Sequence, residues 1–251
     1  MFETHEFSYD KAVHFAKLSQ LAYAEPDAAD PMARAMGYTE VKFFDNDGAE
    51  AYGLAREDVV VLAFRGTQPT QFNDIKADLK TRKEYDAFGC RVHRGFKCEV
   101  DDIWEEIQKW LATQKFKQVY TTGHSLGGAM STIAATRLPK GTIVYNYGSP
   151  RVGTGEFAAR FDEKYTMHRF VNNNDIVPRV PFMLMGYRHA GELHYINTYG
   201  NICNATLWQR LIDRIDGYRH ALKKGEKFDD VYDHDIGRYI SRISSLNNKS
   251  A

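Results

Sequence analysis

The run Val59-Val60-Val61-Leu62-Ala63-Phe64 constrains this chain more than any other stretch. Six apolar residues in a row, half of them β-branched, leave no polar position that could face water. A strand without a polar side must be covered on both faces, which is the situation inside a mostly parallel sheet. Further strand-like runs follow it: "KQVYTTG" (117–123), "GTIVYNYGSP" (141–150), "MHRFVNNND" (167–175) and, as the last strand, "GELHYINTY" (191–199). Between them "LGGAMSTIAATRL" (126–138) and "GTGEFAARFDEKY" (153–165) read as helices. Strands alternating with helices of about a dozen residues mean βαβ units, so the fold class is α/β. Chemistry on such a sheet belongs at the carboxyl ends of its strands.

The remaining elements fit this frame. Residues 9–23 carry apolar side chains at helical spacing, ending before Pro26. Residues 38–45 and 50–55 read as a hairpin turning at Asn46-Asp47-Gly48. Val100, Ile103, Trp104, Ile107, Trp110 and Leu111 trace one face of a long helix. No repeat or low-complexity linker interrupts the chain, so residues 1–251 are expected to form a single domain.

Composition excludes several classes of function. Lysine plus arginine and aspartate plus glutamate are equal at 33 each, and no basic run stands out, so neither nucleic acid nor an anionic membrane surface is an expected partner. Three cysteines without CxxC spacing argue against a disulfide framework and a thiolate zinc site. No stretch approaches the roughly 18 apolar residues of a membrane span. The start, "MFETHEFSYDKAVHF", lacks the basic and apolar regions of a signal peptide. The expectation is a soluble protein, cytoplasmic or otherwise leaderless, or secreted if this is a mature form.

The stretch "VYTTGHSLGGAMSTIAA" (119–135) sets Ser125 between Gly123 and Gly127, at the end of one strand and the start of one helix. A Gly-x-Ser-x-Gly turn in that context forces the serine backbone into strain and lifts its Oγ clear of the sheet. The following helix points its first amides at any oxyanion that develops. A serine hydroxyl is a poor nucleophile until an imidazole takes its proton, and a carboxylate usually orients that imidazole. On this kind of sheet the chain order is serine, then acid, then histidine. Asp175 in "NNNDIVPRVP" follows a strand at the right point, although an Asx-turn aspartate is an alternative reading there.

Nine histidines compete for the base. His124 precedes the acid and adjoins the serine, and His189 and His194 lie before or within the last strand. His220 falls in a lysine-rich helical stretch. His234, in "VYDHDIGRYI" beyond the last strand, has the placement a returning base needs, with His220 second. An Asp-His-Asp metal site around His234 lacks any supporting second cluster, so no metal is assigned. The backbone amide of Leu126 is one oxyanion donor by geometry, and a second is sought in "AFRGT", where Thr67 offers both amide and hydroxyl.

Taken together, "FRGT" (64–67), "VHRGF" (92–96), "GHSLGGA" (123–129), "YGSPRVG" (147–153), "NNNDIVPRVP" (172–181) and "YDHDIGRYI" (232–240) resemble the class 3, fungal-type lipases of the α/β-hydrolase fold. The matches run in family order from about residue 9 to 240. The resemblance implies Ser125 as nucleophile, Asp175 and His234 as its partners, and Thr67 with Leu126 as the oxyanion hole. It also implies a lid at about 68–89, where Phe72, Ile75 and Leu79 form a narrow apolar helical face among Lys76, Lys80, Arg82 and Lys83. Met183, Leu184 and Met185 line the acyl site or fill the core. The implied activity is hydrolysis of lipid carboxylic esters through an acyl-enzyme, with no cofactor and with a lipid–water interface as its setting. Phospholipase A1, feruloyl-type esterase and acyltransferase activities use the same triad, and a non-catalytic lipid-binding member is the reading from a different class.

Overall fold

The computed structural model describes residues 6–66, 82–203, 206, 208–210, 212–213, 215–216 and 232–250. Its twelve described strands are β1 (Glu40–Asn46), β2 (Ala49–Arg56), β3 (Val59–Phe64), β4 (Lys83–Tyr85), β5 (Arg91–His93), β6 (Gln118–His124), β7 (Ile143–Tyr147), β8 (Gly153–Thr154), β9 (Thr166–Asn172), β10 (Tyr187–Arg188), β11 (Glu192–Ile196) and β12 (Ile202–Cys203). The helices used below are α1 (Tyr9–Leu21), α2 (Pro26–Ala35), α3 (Arg94–Leu111), α4 (Leu126–Ala135), α5 (Gly155–Asp162) and α6 (Ile236–Ser250).

Every residue of β3 is buried, and its side chains divide between two cores. Val60, Leu62 and Phe64 belong to one; Val59, Val61 and Ala63 belong to the other. This is the period-two alternation of a strand covered on both faces. The main sheet runs in the order β1-β2-β3-β6-β7-β9-β11-β12. From β3 to β11 all pairings are parallel, while β1, β2 and β12 are antiparallel additions at the edges. The β1–β2 hairpin turns at Asp47-Gly48, both at positive φ (52° and 87°), as a two-residue hairpin loop requires.

Helices α3, α4 and α5 close the first core through Phe96, Val100, Ile103, Met130, Ile133 and Phe157. On α3 the buried positions Phe96, Val100, Ile103, Ile107 and Trp110 repeat every three or four residues, so one stripe meets the sheet. Helices α1, α2 and α6 close the second core through Ala12, Phe15, Leu18, Ala33, Tyr239 and Ile243. Phe15 stacks on Tyr145 with ring centroids 4.5 Å apart. The Ser8 hydroxyl caps α1 by accepting from the Lys11 amide at 3.2 Å.

Three elements depart from the sequence expectation. Helix α2 forms where Pro26 reads as a stop, because proline at a first helical position has no amide to lose. The strand 191–199 is not the last, since β12 adds one further antiparallel rung beyond it. A second sheet, β10-β8-β5-β4, is built from strands of two or three residues, too short to show any alternation in sequence.

Strands β3, β6, β7 and β9 are parallel, so their carboxyl ends share one edge of the sheet. At that edge Phe64 leads into Arg65 and Gly66, His124 into Ser125, Tyr147 into Gly148, and Asn172 into the loop holding Asp175.

Candidate active site

Ser125 sits between β6 and α4 with φ 59° and ψ −129°. A non-glycine residue there costs on the order of 1–3 kcal/mol and persists only where its surroundings impose it. The imposition is visible in the flanking glycines. A Cβ on Gly123 would lie 2.2 Å from the Gly127 carbonyl oxygen, and one on Gly127 would lie 2.2 Å from that of Phe64. Only a turn without these two side chains lets β6, α4 and the end of β3 approach so closely. The Ser125 amide donates to the Tyr147 carbonyl at 3.0 Å, which ties the turn to the neighbouring strand.

The Ser125 Oγ lies 2.8 Å from Nε2 of His234. The other ring nitrogen, Nδ1, lies 3.0 and 2.9 Å from the two carboxylate oxygens of Asp175. Serine, histidine and aspartate therefore form one continuous hydrogen-bonded row, assembled from positions 109 and 59 residues apart in sequence. All three are buried. An ionised carboxylate against Nδ1 fixes the proton on that nitrogen and leaves Nε2 free to accept from the serine hydroxyl.

Asp175 is itself held from three further directions. Its Oδ1 accepts from the Val177 amide at 2.9 Å, and its Oδ2 from the Tyr239 hydroxyl at 2.6 Å. Its own amide donates to the Asn172 carbonyl at 2.8 Å. Burial and the adjacent Asp175 charge push the Tyr239 phenol well above its ordinary range, so it stays protonated and donates. Gly148, at φ 59°, passes close under this pair: a Cβ there would lie 2.7 Å from Asp175 Oδ2 and 3.0 Å from the His234 ring.

His234 lies in a one-turn 3-10 helix, Tyr232–His234, immediately before α6. Its neighbour Asp233 fastens that turn to the Asp175 loop. Asp233 Oδ2 accepts from the Asn174 amide at 3.2 Å, and its Oδ1 pairs with Arg238 at 2.9 Å. Asn172 donates to the Asp233 carbonyl at 2.9 Å, and Arg242 reaches the Asn172 side-chain oxygen at 2.6 Å. Asp235 accepts from the Arg238 amide at 3.1 Å. The Asp-His-Asp run thus points three ways, and Asp233 and Asp235 do not converge with His234 on a common ligand position.

A second row approaches from behind. His124 Nε2 lies 2.6 Å from the carbonyl oxygen of His234, and its Nδ1 lies 2.8 Å from the Tyr23 hydroxyl. A carbonyl only accepts, so His124 carries its proton on Nε2 and accepts from Tyr23 on Nδ1. Burial, and secondarily the nearby His234 ring, holds His124 well below the usual histidine range, and burial raises the Tyr23 phenol. His124 is a neutral brace on the backbone of His234. Sequence order alone sets it aside as a base and gives no hint of this contact across 110 positions.

Leu126 opens α4, where its amide has no carbonyl within the helix to bond. Thr67, the lid positions Phe72, Ile75 and Leu79, and His220 lie outside the described residues. His189 donates from Nε2 to the Pro178 carbonyl oxygen at 2.7 Å, and His194 is buried in β11. Met183, Leu184 and Met185 are not core filler: with Phe182 they form an exposed loop in which Leu184 is 102% and Phe182 62% exposed. That loop continues from the Asp175 segment, and Arg151 fastens its start through the carbonyls of Arg179 and Pro181.

Residues 61–185 match the family Lipase (class 3). A secreted mono- and diacylglycerol lipase of Malassezia globosa is 30% identical over 213 residues, covering 76% of this chain and 70% of that protein. The chain belongs to the class 3 lipase family. Secreted mono- and diacylglycerol lipase A of Penicillium cyclopium is 32% identical over 196 residues, 73% of this chain, and the match spans 64% of that relative's length. The triacylglyceride lipase of Rhizomucor miehei superposes with a TM-score of 0.69 at 23% identity, over 90% of this chain and 92% of that one. The architecture is accordingly the α/β-hydrolase fold, a mostly parallel sheet flanked by helices.

The neutral state of His124 has a consequence for stability. Unfolded, this histidine takes up a proton below about pH 6.5; folded, it does so only at far lower pH. The unfolded chain then binds more protons, so its share of stability is complete above pH 6.5 and is lost progressively as pH falls below that value. His189, also lowered by burial, acts with the same sign. Each contributes about 1.4 kcal/mol per pH unit. Denaturant unfolding at pH 7, 6 and 5 is expected to give a falling free energy of unfolding, and a flat profile would contradict the buried neutral assignment.

Proposed function

We propose that this protein is a lipase that cleaves carboxylic esters of acylglycerols through an acyl-enzyme on Ser125. The observation that carries the reading is the unbroken row from Asp175 through His234 to Ser125 at hydrogen-bond distances, on a strained strand-to-helix turn. In this mechanism His234 Nε2 accepts the Ser125 proton as Oγ attacks the ester carbonyl. Asp175 stabilises the imidazolium that results. The amide of Leu126 and the amide or hydroxyl of Thr67 bind the oxyanion of the tetrahedral intermediate. His234 then passes its proton to the leaving alcohol, and water, deprotonated by the same imidazole, releases the fatty acid and restores the serine.

Two features support a lipid rather than a small polar ester. Ser125 is 1% exposed, so the reaction takes place away from bulk water. The loop of Phe182, Met183, Leu184 and Met185 presents an apolar tip on the segment that leaves Asp175. An exposed cluster of this kind is suited to a lipid surface. Relatives named as mono- and diacylglycerol lipases support partial acylglycerols as the substrate class, and their secreted character supports an extracellular setting. No helix among the described residues is long and apolar enough to cross a membrane.

Release of fatty acid from emulsified diacylglycerol tests the reading. Ser125→Ala is expected to lower kcat by about 10⁴-fold or more, and turnover within tenfold of the wild type would remove Ser125 from the mechanism. Leu184→Asp separates the surface contact from the chemistry. It is expected to reduce activity on the emulsion severalfold while leaving hydrolysis of a short, water-soluble nitrophenyl ester unchanged. Equal loss on both substrates would count against the interfacial role of the loop.

A further inference from the structure

The sheet carries a second cluster of chemically capable side chains at the opposite ends of β9 and β11 from the triad. His168 of β9 stands in register with Glu192 of β11, and His194 follows Glu192 by two positions. Because side chains alternate along a strand, His168, Glu192 and His194 share one face of the sheet. His168 Nδ1 and His194 Nε2 are 3.1 Å apart. Glu192 Oε2 lies 3.5 Å from the first and 3.8 Å from the second. One ligand atom from each residue therefore falls within 4.8 Å of the other two.

These distances have the dimensions of a metal's coordination shell. Zinc bonds of about 2.0–2.2 Å to nitrogen and oxygen place tetrahedral ligand atoms roughly 3.3–3.5 Å apart, close to the three separations observed. Two imidazole nitrogens 3.1 Å apart hold between them either a metal cation or the hydrogen of an N–H···N bond. Phe7 stacks on the His194 ring at 4.6 Å and lies 5.0 Å from His168, and Phe170 also stacks on His194 at 4.7 Å. The rings are thereby fixed in orientation. Glu192, whose side chain is 67% exposed, supplies the anionic ligand and the side open to solvent, through which an ion enters and water completes the shell.

We propose that His168, Glu192 and His194 form a structural binding site for a divalent transition metal, with zinc the best match to two imidazoles and one carboxylate. The site bridges β9 to β11 and does not touch the triad. His168 is four residues, about 13 Å of extended strand, upstream of Asn172, from which the Asp175 loop departs. A metal here pins the strand that delivers Asp175 and has no part in ester hydrolysis.

Titration of the chelator-treated full chain with zinc chloride, followed by calorimetry and by thermal unfolding, tests the site. One zinc ion per chain and a rise in Tm of several degrees are expected. Glu192→Gln, whose side chain is mostly exposed and whose fold is checked by circular dichroism, is expected to weaken binding at least about tenfold. His194→Gln should abolish it, while His234→Ala should leave it intact. Absence of stoichiometric uptake by the wild type would overturn the proposal and leave the two histidines joined by an N–H···N bond. Uptake unchanged in Glu192→Gln, or lost in His234→Ala, would overturn it equally by placing the ion elsewhere.

Discussion

The backbone of Ser125 is the constraint around which the rest of the molecule is arranged. At φ 59° it holds a conformation that an L-residue adopts only when forced. The force comes from covalent and packing facts several elements away. β3, β6 and β7 are pinned in parallel register, α4 must start where β6 ends, and Gly123 and Gly127 allow the backbones to come within contact of one another. The strain of one residue is distributed over a fully buried sheet. A serine in a relaxed loop would have no such fixed Oγ direction, and the 2.8 Å contact to His234 depends on that direction.

The histidine is braced by a different device, a lattice of buried hydrogen bonds in which almost every partner is charged or charge-assisted. Asp175 receives bonds from His234, Tyr239 and the Val177 amide; Asp233 receives them from Arg238 and the Asn174 amide; His124 fixes the His234 carbonyl. Buried polar groups are costly unless satisfied, and a fully satisfied network is rigid for the same reason. Helix α6 supplies Tyr239, Arg238 and Arg242, and α1 supports Tyr23 just beyond its end. Both helices close the second core against the same side of the sheet. Packing on that face and positioning of the base are therefore one structural problem, solved together.

What was legible in the sequence follows from the range of the signal. The buried parallel strands and amphipathic α3 write their period into consecutive residues, so they are read locally. Ser125, Asp175 and His234 are legible because fold type dictates their chain order, and the structure brings the three side chains together. The roles of His124, Tyr23, Tyr239 and Asp233 are not legible in the sequence, because their contacts join positions 59 to 110 apart and no spacing announces them. The small sheet and β12 consist of two- and three-residue strands whose formation is decided by tertiary pairing. Helix α2 is hidden by Pro26, which its first turn tolerates, and by Pro31 in its interior. Met183, Leu184 and Met185 look like core by hydrophobicity, and only the fold reveals that they face outward.

In the proposed mechanism this arrangement makes Ser125, alone among the nine serines, a nucleophile. Incubating the full chain with a fluorophosphonate and locating the adduct by mass spectrometry measures that property directly. One phosphonyl group per chain is expected, on the peptide containing Ser125, with labelling greatly slowed when His234 is replaced by alanine. A chain that stays unlabelled, or an adduct on a different residue, would contradict it.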